Sequence, residues 1–306
     1  MKEKKWKLYL QEMRAPFFTA SIVPLLLGSA IAWSTSDAFH WGYFILTLIG
    51  GVLLHAGTNV ANDYFDHKSG NDEVNFEFVR PYTGGSRMIQ LGKLTPGEVI
   101  TESLILFLLG SIIGIYLTFQ RGSGVLYLGM IGVFSGFFYT APPFKIGARG
   151  IGEVFVGLNF GVLMTLGAYY VQTQHFAIEP AIAALPISFL ITGVLYINEF
   201  QDYEADKQTG KKHMVVLLGK KRAVKGFELI IGFTYLSIAL GVAFRLISPF
   251  ALLGFLTIPI ALKSARTAKK YYDQYLKLTP ANVGTIFTHM LTGFLITIGY
   301  LIDKAI

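Results

Sequence analysis

The stretch NEFQDYEADKQTGKK, Asn198 to Lys212, follows directly on the apolar run AIAALPISFLITGVLYI, residues 181–197. That run is free enough of charge to sit in hydrocarbon, so the polar residues continuing it mark where a membrane helix emerges. Asn198, Asp202 and Asp206 stand at i, i+4 and i+8, and on a 3.6-residue helix they fall within about 80° of one another. A second such stripe, Asn59, Asn62, Asp63 and Asp66, closes an earlier apolar run. Acids four residues apart on one helix face repel unless a cation sits between them. Asn and Asp also commonly cap helices that end at the headgroups. Two stripes sharing an Asn-x-x-x-Asp core, each followed by a basic, glycine-containing loop, point further, to one shared site.

The chain of 306 residues is 53% apolar, 14% aromatic and only 15% charged, with a mean hydropathy of +0.51. This is the balance of a polytopic membrane protein, not of a soluble domain. There are no cysteines, which excludes disulfides, thiolate metal sites and cysteine nucleophiles. A first apolar segment runs from near Pro16 to near Trp33. At about 20 residues per span, eight more follow at 41–59, 97–118, 124–139, 151–171, 181–197, 227–244, 249–262 and 285–302. The segment 249–262 is short and contains Pro259. The expected fold is therefore all-α: a single domain over 1–306, with nine transmembrane helices bundled around a central cavity open to the cytoplasmic side.

Nine spans sort the basic residues sharply. Lys2, Lys4, Lys5, Lys7 and Arg14 of the amino-terminal arm, Lys68, Arg80, Arg87 and Lys93, Lys145 and Arg149, and the clusters at 207–225 and 263–277 share one face. Arg121, Arg245 and Lys304 are left for the other. By the positive-inside rule the amino-terminus and both acidic stripes are expected on the cytoplasmic side of the cell membrane. The net charge of +7 is thereby assigned to orientation and the lipid surface, and no nucleic-acid partner is expected.

Asp63, Asp66, Asp202 and Asp206, with Asn62 and Asn198, form an all-oxygen ligand set. Magnesium takes one or two protein carboxylates and completes its octahedron with waters and phosphate oxygens, so two acidic stripes suit a metal-bound diphosphate. The loops GGSR (84–87) and TGKK (209–212) add backbone N–H groups beside Arg87, Lys211 and Lys212, as phosphate sites require. Lys68 follows the stripe that Asn59 opens. The Pro- and Gly-rich loop YTAPPFKIGARGIGE, 139–153, brings Tyr139, Lys145 and Arg149 to the same mouth. His55 and His289 lack the partners of a zinc site and read as packing residues. No GxSxG elbow is present.

The motifs NDYFDHKSGND (62–72), YTAPPFK (139–145) and NEFQDYEADKQTGKK with the following LLG (217–219) resemble the UbiA superfamily of intramembrane prenyltransferases. The resemblance implies that two aspartate-rich motifs hold Mg2+ on an isoprenyl diphosphate whose tail lies in a lipid-open cavity. Departure of diphosphate then yields an allylic cation that an aromatic acceptor attacks. Asn62, Asp66, Asn198, Asp202 and Asp206 match the motif positions, and Asp63 follows Asn62. The usual third acid of the first motif would fall at Gly70; the next acid here is Asp72, whose role stays open. That spacing, together with Arg14-Ala-Pro and GGSR, is similar to the menaquinone branch, the 1,4-dihydroxy-2-naphthoate polyprenyltransferases. In this reading Asp66, Asp202, Asp206, Lys145 and Tyr139 serve catalysis. Arg14, Asn59, Lys68, Arg87, Lys145, Arg149, Lys211 and Lys212 bind substrate. The competing readings are another acceptor (4-hydroxybenzoate or a lipid alcohol) and, from a different class, an intramembrane cation transporter. Against transport, the acids cluster at one end of the spans. A CDP-alcohol phosphotransferase lacks support because DGxxAR is missing.

Overall fold

A computed structural model describes residues 4–306; Lys2 of the basic arm lies outside the described residues. Every regular element among them is helical. In chain order they are α1 (Lys5–Glu12), α2 (Thr19–Ser36), α3 (Trp41–Ser69), α4 (Asn71–Val74), α5 (Pro96–Arg121), α6 (Ser123–Phe137), α7 (Gly152–Gly157), α8 (Met164–Thr173), α9 (Ile178–Gln208), α10 (Met214–Leu218), α11 (Lys220–Ala243), α12 (Ile258–Tyr271) and α13 (Tyr275–Ala305). A π-helical segment, Leu158–Leu163, joins α7 to α8 into one rod, and a 3₁₀ segment, Pro249–Thr257, leads into α12. Eight of these rods are long and apolar enough to span a bilayer; α6 is a ninth apolar helix of only 15 residues. The short member of the nine is thus α6, not 249–262. Pro259 does not shorten its helix because it falls in the first turn of α12, where its missing N–H breaks no hydrogen bond.

α3 packs along α5, α9 along α11, and α13 against α2, α9 and α12. One core of Leu27, Ile31, Ile187, Ile238, Ile296 and Tyr300 fills the bundle away from the acidic motifs, and a second, around Tyr196, Phe200, Phe227 and Leu278, lies beside them. On α11, Leu229, Phe233, Leu236 and Leu240 are exposed; their spacing makes one outward stripe, the face a membrane helix turns to lipid. At the end far from the acids, the Arg121 guanidinium donates to the Val171 and Gln172 carbonyls and Lys304 pairs with Asp37. Arg121 and Lys304 therefore do stand apart from the other basic residues.

Without a hydrophobic drive between helices in lipid, close packing depends on small residues at the crossings. A β-carbon at Gly28 would stand 2.2 Å from the Thr165 carbonyl oxygen, so α2 meets α8 backbone to backbone there. Gly28→Leu is expected to lower the melting temperature of the detergent-solubilised protein sharply, the overpacking amounting to about 1–3 kcal/mol or more. Gly232→Leu on α11, where nothing lies within 4 Å, serves as the control and should leave it unchanged. Equal melting of the two variants would contradict this packing.

Candidate active site

α3 and α9 run about three turns past the apolar runs that end at residues 59 and 197, and those extra turns bring their acids together. The Lys211 ammonium lies 2.7 Å from Asp66 on α3 and 3.4 Å from Asp206 on α9, so a single cation spans both motifs. Burial works against its charge, but the two carboxylates hold this lysine well above the ordinary range. Short α4 locks the arrangement from above. Asn71 donates to Asp206 at 2.6 Å and Asn75 to Asp202 at 2.7 Å. The Ser86 N–H of the GGSR loop donates to Asp63 at 2.7 Å, and the Arg14 guanidinium is 4.0 Å from the same carboxylate. Asn198 donates to the Tyr82 carbonyl and accepts from Asn282 at 2.7 Å.

Below this polar mouth lies a cavity of about 340 Å³. Arg14, Asn59, Asn62, Tyr139 and Asn198 line its head; Leu54, Ile113, Leu117, Leu128, Leu163 and Met164 line its depth, and among the described residues no carboxylate lines it. Its wall is shaped by the π-helical turn, where Asn159 accepts from Ser135 at 2.7 Å and donates to the Phe155 carbonyl. The wider π-turn keeps an amide satisfied inside an apolar wall. The geometry is a charged clamp over a greasy slot, suited to a molecule with a polyanionic head and a hydrocarbon tail.

Comparison with known proteins agrees with that shape: the UbiA prenyltransferase family matches residues 21–289. The chain belongs to that family. Among its relatives, a 2-carboxy-1,4-naphthoquinone phytyltransferase of Synechocystis sp. is 29% identical, covering 96% of this chain and 93% of its own. A 1,4-dihydroxy-2-naphthoate octaprenyltransferase of Bacillus subtilis is 26% identical, covering 99% and 94%. Among solved structures, a UbiA homologue from Archaeoglobus fulgidus bound to DMAPP and Mg2+ shares the fold, with a TM-score of 0.66 at 18% identity over 94% of this chain and 98% of that one. The protein is a prenyltransferase of the UbiA family and an integral membrane protein.

The residues present fit the Mg2+ that the family implies. Asp66, Asp202 and Asp206, with Asn62 and Asp63 behind them, offer the oxygen-only donor set of a hard cation. Two of them already converge on one positive charge, Lys211. Asp72, whose role the sequence leaves open, is buried beside them; burial and the neighbouring Asp66 and Asp63 push its carboxyl up to about 8. It faces Arg87 at 3.5 Å.

Several residues expected to bind phosphate are placed differently. Arg87 donates to the Asp72 and Asn75 carbonyls and stacks on Phe78, so it pins α4. Lys68, Lys145, Arg149 and Lys212 are exposed, and the Arg149 guanidinium donates to the Pro143 carbonyl. Exposure follows from their positions, Lys68 in the last turn of α3 and the others on loops, where a long cationic chain gains more from water than from burial. Conversely, Asn71, Asn75 and Glu12 belong to the acidic mouth and Glu153, Glu199 and His213 lie beside it against Asp206, and motif spacing does not single them out. Asn71 and Asn75 do stand at i, i+4 just after the first motif, a signal of the same kind as the acidic stripes.

Proposed function

We propose that this protein transfers a polyprenyl group from an isoprenyl diphosphate to 1,4-dihydroxy-2-naphthoate, with Mg2+, on the cytoplasmic face of the cell membrane. The observation that carries the reading is the meeting of Asp66 and Asp206 on Lys211 at the head of an apolar cavity. Two naphthoate- or naphthoquinone-prenylating relatives, similar over nearly their whole length, supply the acceptor class. A carboxylate-free cavity lining speaks against an ion path.

The chain's own groups account for the chemistry. When bound, Mg2+ would supply a Lewis acid whose positive charge offsets the negative charge of the diphosphate. Asp66, Asp202 and Asp206 hold that charge in place, and Asn71 and Asn75 fix the two carboxylates of α9 so that no reorganisation is needed in the transition state. The allylic C–O bond breaks with its electron pair going to the diphosphate oxygen, where the Lys211 ammonium stands to meet it. The apolar slot keeps water from the carbocation, and Tyr139 presents a π face at its head. The acceptor ring forms the new C–C bond and loses its carboxyl group as carbon dioxide.

Purified protein offered 1,4-dihydroxy-2-naphthoate and 4-hydroxybenzoate, each with a long and a short prenyl diphosphate, is expected to give a decarboxylated prenyl naphthoquinol by mass spectrometry. Prenylation of 4-hydroxybenzoate alone would sink the acceptor assignment and leave the reaction class standing. Arg14, the cation at the cavity head, fits the acceptor's carboxylate. Arg14→Leu should raise KM for the acceptor while leaving that for the diphosphate nearly unchanged.

Topology has its own test. Cysteines placed at exposed Lys68 and Lys145 in this cysteine-free chain should resist a membrane-impermeant thiol reagent in intact cells and label in inverted vesicles. Labelling of either from outside would reverse the orientation.

A further inference from the structure

Beside the acidic mouth, next to Asp206, three side chains from three separate elements meet. Glu153 of α7, Glu199 of α9 and His213, which caps α10, each hold one donor atom within 4.8 Å of the others. All are deeply buried, at 3%, 6% and 2% exposure. Glu153 Oε1 accepts the Met214 N–H at 2.6 Å. Glu153 Oε2, Glu199 Oε2 and His213 Nε2 have no hydrogen-bond partner. Two carboxylates buried side by side with unmatched oxygens are costly unless something positive joins them.

The imidazole faces Glu199 and Asp206 but leaves Glu153 Oε2 unmatched. His213 Nδ1 is 3.4 Å from Glu199 Oε2 and also accepts a long bond from the Val216 N–H at 3.4 Å; Nε2 is 3.1 Å from Asp206 Oδ2. His213 Nδ1 and Glu199 Oε2 stand at the separation of two ligands on one tetrahedral ion, about 3.4 Å for donors about 2.05 Å from the metal, and a Glu153 oxygen lies within 4.8 Å of the other donors. A carboxylate on the remaining ring nitrogen, the place Asp206 holds, is the usual support of a metal-bound histidine. An imidazole nitrogen with two carboxylates suits a first-row transition ion, unlike the oxygen-only set at Asp66 and Asp202.

We infer that Glu153, Glu199 and His213 form a second, structural metal site for a divalent transition ion of the zinc type, distinct from the Mg2+ site and joined to it through Asp206. It would tie α7, α9 and α10 together and hold the Asp206 carboxylate toward the mouth. The inference rests on the proposed function only in taking Asp206 as a Mg2+ ligand; it is independent of which acceptor is used.

The test uses the full chain, purified without a histidine tag, stripped with EDTA, and returned to buffer containing Mg2+ with or without Zn2+. After gel filtration, elemental analysis is expected to find about one zinc per chain, with a higher melting temperature than in Mg2+ alone. Co2+ in its place should give the strong visible absorption of a tetrahedral site. Glu199→Gln and His213→Gln should each lose the zinc and the zinc-dependent rise in melting, whereas Asp202→Asn should keep both. Wild-type protein that retains no zinc and melts unchanged would overturn the site whether or not the variants fold. Zinc retained equally by His213→Gln, or lost from Asp202→Asn, would also overturn it, the latter by placing the ion in the acidic mouth. These readouts are metal content and melting, so failure of the naphthoate assay does not bear on them.

Discussion

Asp66→Asn, Asp202→Asn and Asp206→Asn are each expected to lower kcat/KM by roughly 100-fold or more in a diphosphate-release assay at saturating Mg2+. Each substitution keeps the shape of the side chain and removes one negative charge from the group proposed to hold the metal and, through it, the leaving diphosphate. Asp206 should be the most sensitive, because its carboxylate is met by Asn71, Lys211 and His213 at once, and an amide cannot satisfy three donors. Asp37→Asn and Asp303→Asn, at the opposite end of the bundle, should behave as wild type. Wild-type turnover by any of the three motif variants, or full activity of the unaltered protein in excess EDTA, would sink the mechanism.

Lys211→Met is expected to separate two roles that one ammonium combines. In the structure this ammonium occupies the space between the two motifs, so it competes with a divalent ion for Asp66 and Asp206. In the proposed reaction it would stand beside the leaving oxygens. Its removal should therefore tighten Mg2+, seen as a lower concentration for half-maximal activity. It should also lower kcat by roughly 100-fold, because a cation aimed at developing charge is lost. Thermal melting in EDTA should fall, since two buried carboxylates are left facing each other, and Mg2+ should restore it. A variant with unaltered Mg2+ dependence and unaltered kcat would show that Lys211 plays neither part.

Much of this architecture is legible in the chain itself, because lipid imposes strict rules. A span must be apolar for about 20 residues, so the number and rough limits of the helices follow from hydropathy. Carboxylates continuing two of those runs are too costly there to be incidental, and their helical spacing places them on one face. Asp63, Asp66, Asp202 and Asp206 were visible for that reason. Loop cations gave no comparable signal. Lys211 and Lys212 are neighbours in one TGKK turn, yet the first is drawn into the acidic mouth and the second is exposed. Alternation along an irregular turn depends on where the turn docks, which no local pattern encodes.

What the sequence by itself determined is the membrane class, the two acidic motifs and the kind of chemistry they permit, since each depends on local composition or helical period. The tertiary structure decided which groups meet. It spent Arg87 on the carbonyls of α4, recruited Asn71 and Asn75 to hold the α9 acids, and closed Glu153, Glu199 and His213 into one buried cluster. Those three are 46 and 14 residues apart along the chain, and contacts at such separations are fixed by how α7, α9 and α10 pack, a property of the whole bundle.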